Sequence, residues 1–189
     1  MKKLKSFSAG AIGLLFSFAV LVSSASAQNN PKLSDAEVAH TAVTANQIDI
    51  DYAKLAKEKS KNPEVLKFAK TMANDHKAVI DQAVALVTKL GVTPKDNAVS
   101  KQLMADAEKT RKTMRTKSGA AFDKAYMVNE VAYHKAVIAA VEGLLIPESE
   151  NAELKSLLQS IVPALNAHLE HAQMVQKQLK GNGTHKRGH

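Results

Sequence analysis

Cysteine is absent from the 189 residues. No disulfide can brace the fold, no N-terminal thiol can carry a lipid and no thiol nucleophile exists, so packing alone must hold the chain together. Tryptophan is absent too, and three tyrosines and five phenylalanines complete the aromatic set, too few for stacking platforms on single-stranded nucleic acid. Strand-like alternation, an internal repeat of fixed period, a nucleotide-binding glycine loop and a serine with an adjacent base are also missing. After the first 27 residues no apolar run approaches the roughly 18 residues that cross a bilayer.

What stands at the start is the pattern of an export leader: Lys2, Lys3 and Lys5, an apolar run from Ala9 to Val22, and the small-residue site Ala25-Ser26-Ala27. The mature chain is expected to begin at Gln28, in the periplasm or outside a host with one membrane. Residues 28–33 read as a linker, 34–180 as one bundle domain, and 181–189 (GNGTHKRGH) as a disordered basic tail bearing His185 and His189. The formal charge of +8 falls to +5 without the three leader lysines. Lys177, Lys180, Lys186 and Arg187 account for four more, leaving residues 28–176 at +1. Such a body has no electrostatic footprint for duplex nucleic acid, while the tail suits an anionic surface.

Apolar spacing predicts four long amphipathic helices. The first opens at the capping box Ser34-Asp35-Ala36-Glu37 and runs to about Ser60. Asn62-Pro63 supplies the cap and first-turn proline of the second, closed by Gly91 after Leu90. The third opens near Ser118-Gly119 and reaches about Leu145, ahead of Pro147. The fourth runs from about Ser149 to Leu179, stops at Gly181 and kinks at Pro163, which lacks an N–H and crowds the carbonyl four positions back. Residues 92–118 hold a further helical piece, about Ala98 to Met114, long enough to travel the length of a bundle. The predicted class is all-α, a four-helix bundle with a helical crossover between helices two and three.

At 100° per residue, one ionisable side chain falls within the apolar stripe of each helix: Asp49, His76, Glu130 and His168. His134 lies close to Glu130, and His171 borders the fourth stripe. Asp51 and Glu170 point away, Asp75 sits on a flank, and His40 reads as surface. A carboxylate buried alone costs several kcal/mol or stays protonated, so partners or an ion are required. By helix rise Asp49, His76 and Glu130 come level, whereas His168 falls a turn or more away.

Carboxylates and imidazoles projecting inward from facing helices are the ingredients of a bundle metal site for zinc, copper or iron. The candidate ligands are Asp49, His76, Glu130 and His168, with His134 and His171 as alternates. Asp75, Tyr126 and Tyr133 are expected to orient them. A second reading stands beside this one: the same residues pair with one another, fix helix register and hold no metal.

The stretches NPEVLKFAKTMANDHKAV (62–79), SGAAFDKAYMVNEVAYHKAV (118–137) and PALNAHLEHA (163–172) resemble the bacterial exported family known as domain of unknown function 4142. The resemblance spans about residues 35–175. It implies a ferritin-like bundle with a crossover after the second helix and parallel second and third helices. It brings no established reaction. Met72 with Asp75 and His76, Tyr126 with His134, and Leu165 with His168 carry it, while Asp49 stands where such relatives tend to have Glu. The Glu-x-x-His pairs of di-iron bundles are missing, since Glu130 and His134 are four apart and His168-x-x-His171 lacks the carboxylate. The expected protein is an exported, non-enzymatic bundle with one divalent transition-metal ion in its core, serving envelope metal handling or stress tolerance. A metal-dependent oxidase or dismutase, and a structural module without metal, are the alternatives.

Overall fold

The structure is a computed structural model that describes residues 31–185. The expected leader and the last four residues of the tail lie outside the described residues. Helix starts fall where side chains can accept the free amides of a first turn. At α1 (Asp35–Lys59) the Glu37 carboxylate accepts from the N–H and Oγ of Ser34, at 3.0 and 2.8 Å. At α2 (Pro63–Lys89) the Asn62 side chain accepts from the N–H groups of Glu64 and Val65. Gly91, at φ +64°, lets Val92 N–H turn back to the Val87 carbonyl and end that helix. Asn97 caps α3 (Ala98–Arg115) by accepting from Ser100 N–H. The same Asn97 donates through Nδ2 to the Glu37 carbonyl and to Thr41 Oγ1, pinning α3 to α1.

α4 (Gly119–Ala140) passes into a π-helical turn, Val141–Leu145, where Ile146 N–H reaches back five residues to the Val141 carbonyl. A three-residue α5 (Ile146–Glu148), containing Pro147, ends the run. α6 (Ala152–His185) is capped by Asn151, which accepts from Glu153 and Leu154 N–H. The Asp35 carboxylate accepts from the amides of Glu150 and Asn151, tying the start of α1 to the start of α6. α6 stays helical across Pro163 and does not stop at Gly181. A glycine ends a helix by adopting positive φ, as Gly91 does, whereas Gly119, also at positive φ, opens α4. Gly181 instead lies inside the helix as an ordinary, weak helix former, and α6 continues to His185.

The core divides into two apolar clusters. One holds Tyr52, Phe68, Met72, Phe122, Tyr126, Met127 and Val175, the other Val38, Ala42, Val87, Val141, Leu158 and Leu165. Fully burying a side chain such as Phe68 or Phe122 contributes on the order of 2–3 kcal/mol. The order in which each helix visits the clusters fixes its direction. α1 and α6 run from the second cluster to the first, and α2 and α4 run from the first to the second, so α2 and α4 are parallel. α3, from Val99 to Met114, brings the chain back along the bundle between them. α1 packs on α2, α4 on α6, and α3 against α1. Covered on two sides, α1 buries Ala39, Thr41, Thr44, Asn46 and Ala53 as well as Val38, Ala42, Ala45, Tyr52 and Ala56. All-α architecture and the helical crossover agree with the sequence expectation, and no helix among the described residues is long and apolar enough to cross a membrane.

Candidate metal centre

On α2 and α6 the ionisable residue sits between the two apolar clusters, and on α1 and α4 at the edge of the first that faces the second, so the four helices bring their polar groups close to one level. Asp49, Glu130 and His134 are 0–1% exposed, His76 3% and His168 8%. One ring nitrogen each of His76, His134 and His168 lie within 4.8 Å of one another, and one donor atom each of Asp49, Glu130 and His134 meet the same limit. His168, expected a turn away, joins the others, its ring centroid 5.2 Å from that of His76 and 5.6 Å from that of His134.

The tautomer of each histidine follows from what its second nitrogen faces. His76 Nδ1 is 2.7 Å from Asn46 Oδ1. Asn46 spends its amide hydrogen on the Ala42 carbonyl, so Oδ1 accepts and His76 Nδ1 carries the proton. His134 Nδ1 lies 3.0 Å from the Glu130 backbone carbonyl, which can only accept. His168 Nε2 lies 3.0 Å from Asp75 Oδ2 and donates to it. In the neutral rings of His76 and His134 the other nitrogen, Nε2, therefore presents a bare lone pair, and it, like His168 Nδ1, is buried without a hydrogen-bond partner. So are both carboxylate oxygens of Asp49 and both of Glu130.

Asp49 Oδ2 stands 3.4 Å from His76 Nε2 and 3.6 Å from His134 Nε2. Two acceptors facing each other repel unless a proton or a cation lies between them. At metal–ligand distances of 2.0–2.1 Å, two ligands of a tetrahedral ion are separated by about 3.3 Å, close to what is seen here. Burial pushes the Asp49 carboxyl up to about 8. It also raises Glu130 well above the ordinary carboxyl range, with the charge of Asp49 adding to the effect. Burial, then the neighbouring imidazoles, lowers His76 to about 3; burial likewise lowers His134 to about 4. When no cation replaces the protons, burial thus favours neutral imidazoles at His76 and His134 and protonated acids at Asp49 and Glu130.

The expected supporting residues divide. Asp75 orients His168. The Tyr133 hydroxyl donates to the Ala45 carbonyl at 2.8 Å, its side chain spanning to α1, while its ring stands edge-on to His134 at 6.4 Å between centroids. The buried Tyr126 hydroxyl faces Glu130, and burial followed by the Glu130 charge pushes its pKa well up. His171 stays out of the cluster, edge-on to Phe68 at 5.0 Å between ring centroids. His40 is half-buried and not at the surface as expected, its Nδ1 enclosed. Asn46 was not singled out in the sequence, although it lies three residues before Asp49 and hence on the same side of α1.

Fold and site together define an all-α bundle with a carboxylate–imidazole cluster buried at mid-height. The chain belongs to the family described as domain of unknown function 4142 (DUF4142), which it matches over residues 21–175. Among solved structures it is similar to "CopM in the Cu(II)-bound form", with a TM-score of 0.59, 17% identity, and coverage of 78% of this chain and 98% of that one. That likeness establishes the fold. No curated protein matches the chain.

Proposed function

We propose that this protein binds one transition-metal ion in the bundle core, through His76 Nε2, His134 Nε2, His168 Nδ1 and the Asp49 carboxylate, with Glu130 beside them. The observation that carries the reading is two donor triads that share His134, His76–His134–His168 and Asp49–Glu130–His134, with each imidazole held by a different second partner and the facing atoms buried without a hydrogen bond. A donor set of three imidazoles and one carboxylate favours copper or zinc over magnesium or calcium, and Cu(II) heads the general order of affinities. The Cu(II) held by the fold neighbour makes copper the first ion to test. The role we infer is metal handling or stress tolerance in the cell envelope, consistent with the leader-like N-terminus.

Metal analysis of the double variant His185→Ala, His189→Ala tests this without contribution from the C-terminal histidines. About one Cu(II) or Zn(II) per chain is expected, and adding His76→Ala or His134→Ala is expected to abolish it. A chain that stays metal-free at micromolar copper or zinc sinks the proposal. Protons shared between Asp49 and the imidazoles are then the reason for the cluster.

A further inference from the structure

The donor cluster is not sealed on every side. Where α3 lies against α1 it stands off from α4, and the three helices leave a cavity of about 350 Å³, within the range of small-molecule pockets. Asp49, His76 and His134 line its inner end. Its body is aliphatic, formed by residues such as Leu103, Val137 and Leu165. Its edge includes the exposed Ala132 and Ala136 of α4 and Asp106 of α3. Small side chains on α4 keep the space open, and Val137, Ala140 and Leu144 are only half-buried because they face it.

The polar lining is specific about what enters. No lysine or arginine lines the cavity among the described residues, so nothing there pairs with an anionic head group. The Asp49 oxygens are buried without a partner, and so is Asn129 Nδ2, a donor. A charged head of either sign would be desolvated among aliphatic walls, at a cost these few groups do not offset. A hydroxyl, donor and acceptor at once, matches them, and an aliphatic chain matches the walls.

We propose that the groove between α3 and α4 binds a neutral amphiphile, an aliphatic chain ending in a hydroxyl, with the chain along α4 and the hydroxyl at the Asp49 end. The inference goes beyond the metal reading and stands without a bound ion, because the hydroxyl meets acceptors that are present in the metal-free cluster.

The test uses the purified protein after chelation and follows displacement of a fluorescent apolar probe by decanol, decanoate and decylammonium. Decanol is expected to displace the probe at concentrations at least tenfold below either charged analogue. Ala136→Phe, which fills the mouth from an exposed position, is expected to weaken decanol at least tenfold while leaving helical circular dichroism and metal stoichiometry unchanged. Ala140→Leu serves the same purpose deeper in the groove. Failure of decanol to displace the probe, equal or tighter binding of a charged analogue, or wild-type decanol binding by a folded Ala136→Phe overturns the proposal. Sedimentation showing that a second copy of the chain covers the groove also overturns it. If both variants unfold, the ranking of the three head groups on the unaltered protein still decides. Because metal is absent from the assay and counted separately, its outcome is independent of the metal proposal.

Discussion

Replacing Asn46 by Ala would leave the Nδ1–H of His76 buried with no acceptor, which costs about 1–3 kcal/mol. It would also free the ring to turn, and loss of such an orienting partner typically lowers metal affinity 10- to 100-fold. Competition with a coloured chelator measures the affinity and urea unfolding of the metal-free protein the stability; an Asn46→Ala protein unchanged in both would remove the orienting role. The acids at the site predict a pH dependence. Asp49 titrates near 8 in the fold against 3.8 in the open chain, so between those values the fold holds the extra proton and loses stability as pH rises. His76 and His134 act oppositely, since their pKa falls from 6.5 to about 3 and about 4, and their contribution rises with pH only up to about 6.5. Above that the carboxyls act alone. The chelated protein is expected to melt at lower temperature at pH 8 than at pH 6.5, and Asp49→Asn to flatten the trend. A melting temperature that climbs across that interval would contradict a neutral Asp49. The wheel pattern made Asp49, His76, Glu130 and His168 visible in the sequence, because an ionisable group amid apolar neighbours stands out at a 3.6-residue period. It hid Asn46 and understated His134, since neutral or flanking groups give no such contrast.

At the level of the helices, α3 depends on Asn97, whose side chain caps its own helix and bonds to two groups of α1. Asn97→Ala is expected to destabilise the protein by about 2 kcal/mol or more, from the lost cap and the unpaired α1 groups. Hydrogen exchange would show amides of α3 opening before those of α2 and α6; uniform acceleration over all helices would refute this local role. Helix boundaries were largely legible because Ser34, Asn62-Pro63 and Gly91 are strong chemical signals. Two were not. Gly181 read as a stop but has no positive φ, and α6 begins at Ala152, not near Ser149. Those three residues shorten the climb to His168 by about 4.5 Å, most of a turn, which is why it reaches the cluster from which its estimated height excluded it. The burial of α1 on two sides was likewise invisible, since a run of alanine and threonine marks no preferred face.

For the molecule as a whole, an ion that binds the fold and not the open chain adds stability by mass action, about 2.7 kcal/mol at a free concentration 100 times the Kd. For a domain of this size that corresponds to a rise of roughly 5–10 °C in melting temperature. Calorimetry with copper or zinc is expected to show it in the unaltered protein and not in His134→Ala; an equal rise in both would place the ion elsewhere. The proposed ligands come from α1, α2, α4 and α6, and the last of them, His168, lies near the end of the described chain. No shorter precursor can assemble the set. Capture of the proposed ion would therefore coincide with the final docking of α6, and the compartment in which that docking finishes would decide which ion is offered. Selectivity at such a site would be a matter of where the polypeptide matures as much as of what its donors prefer.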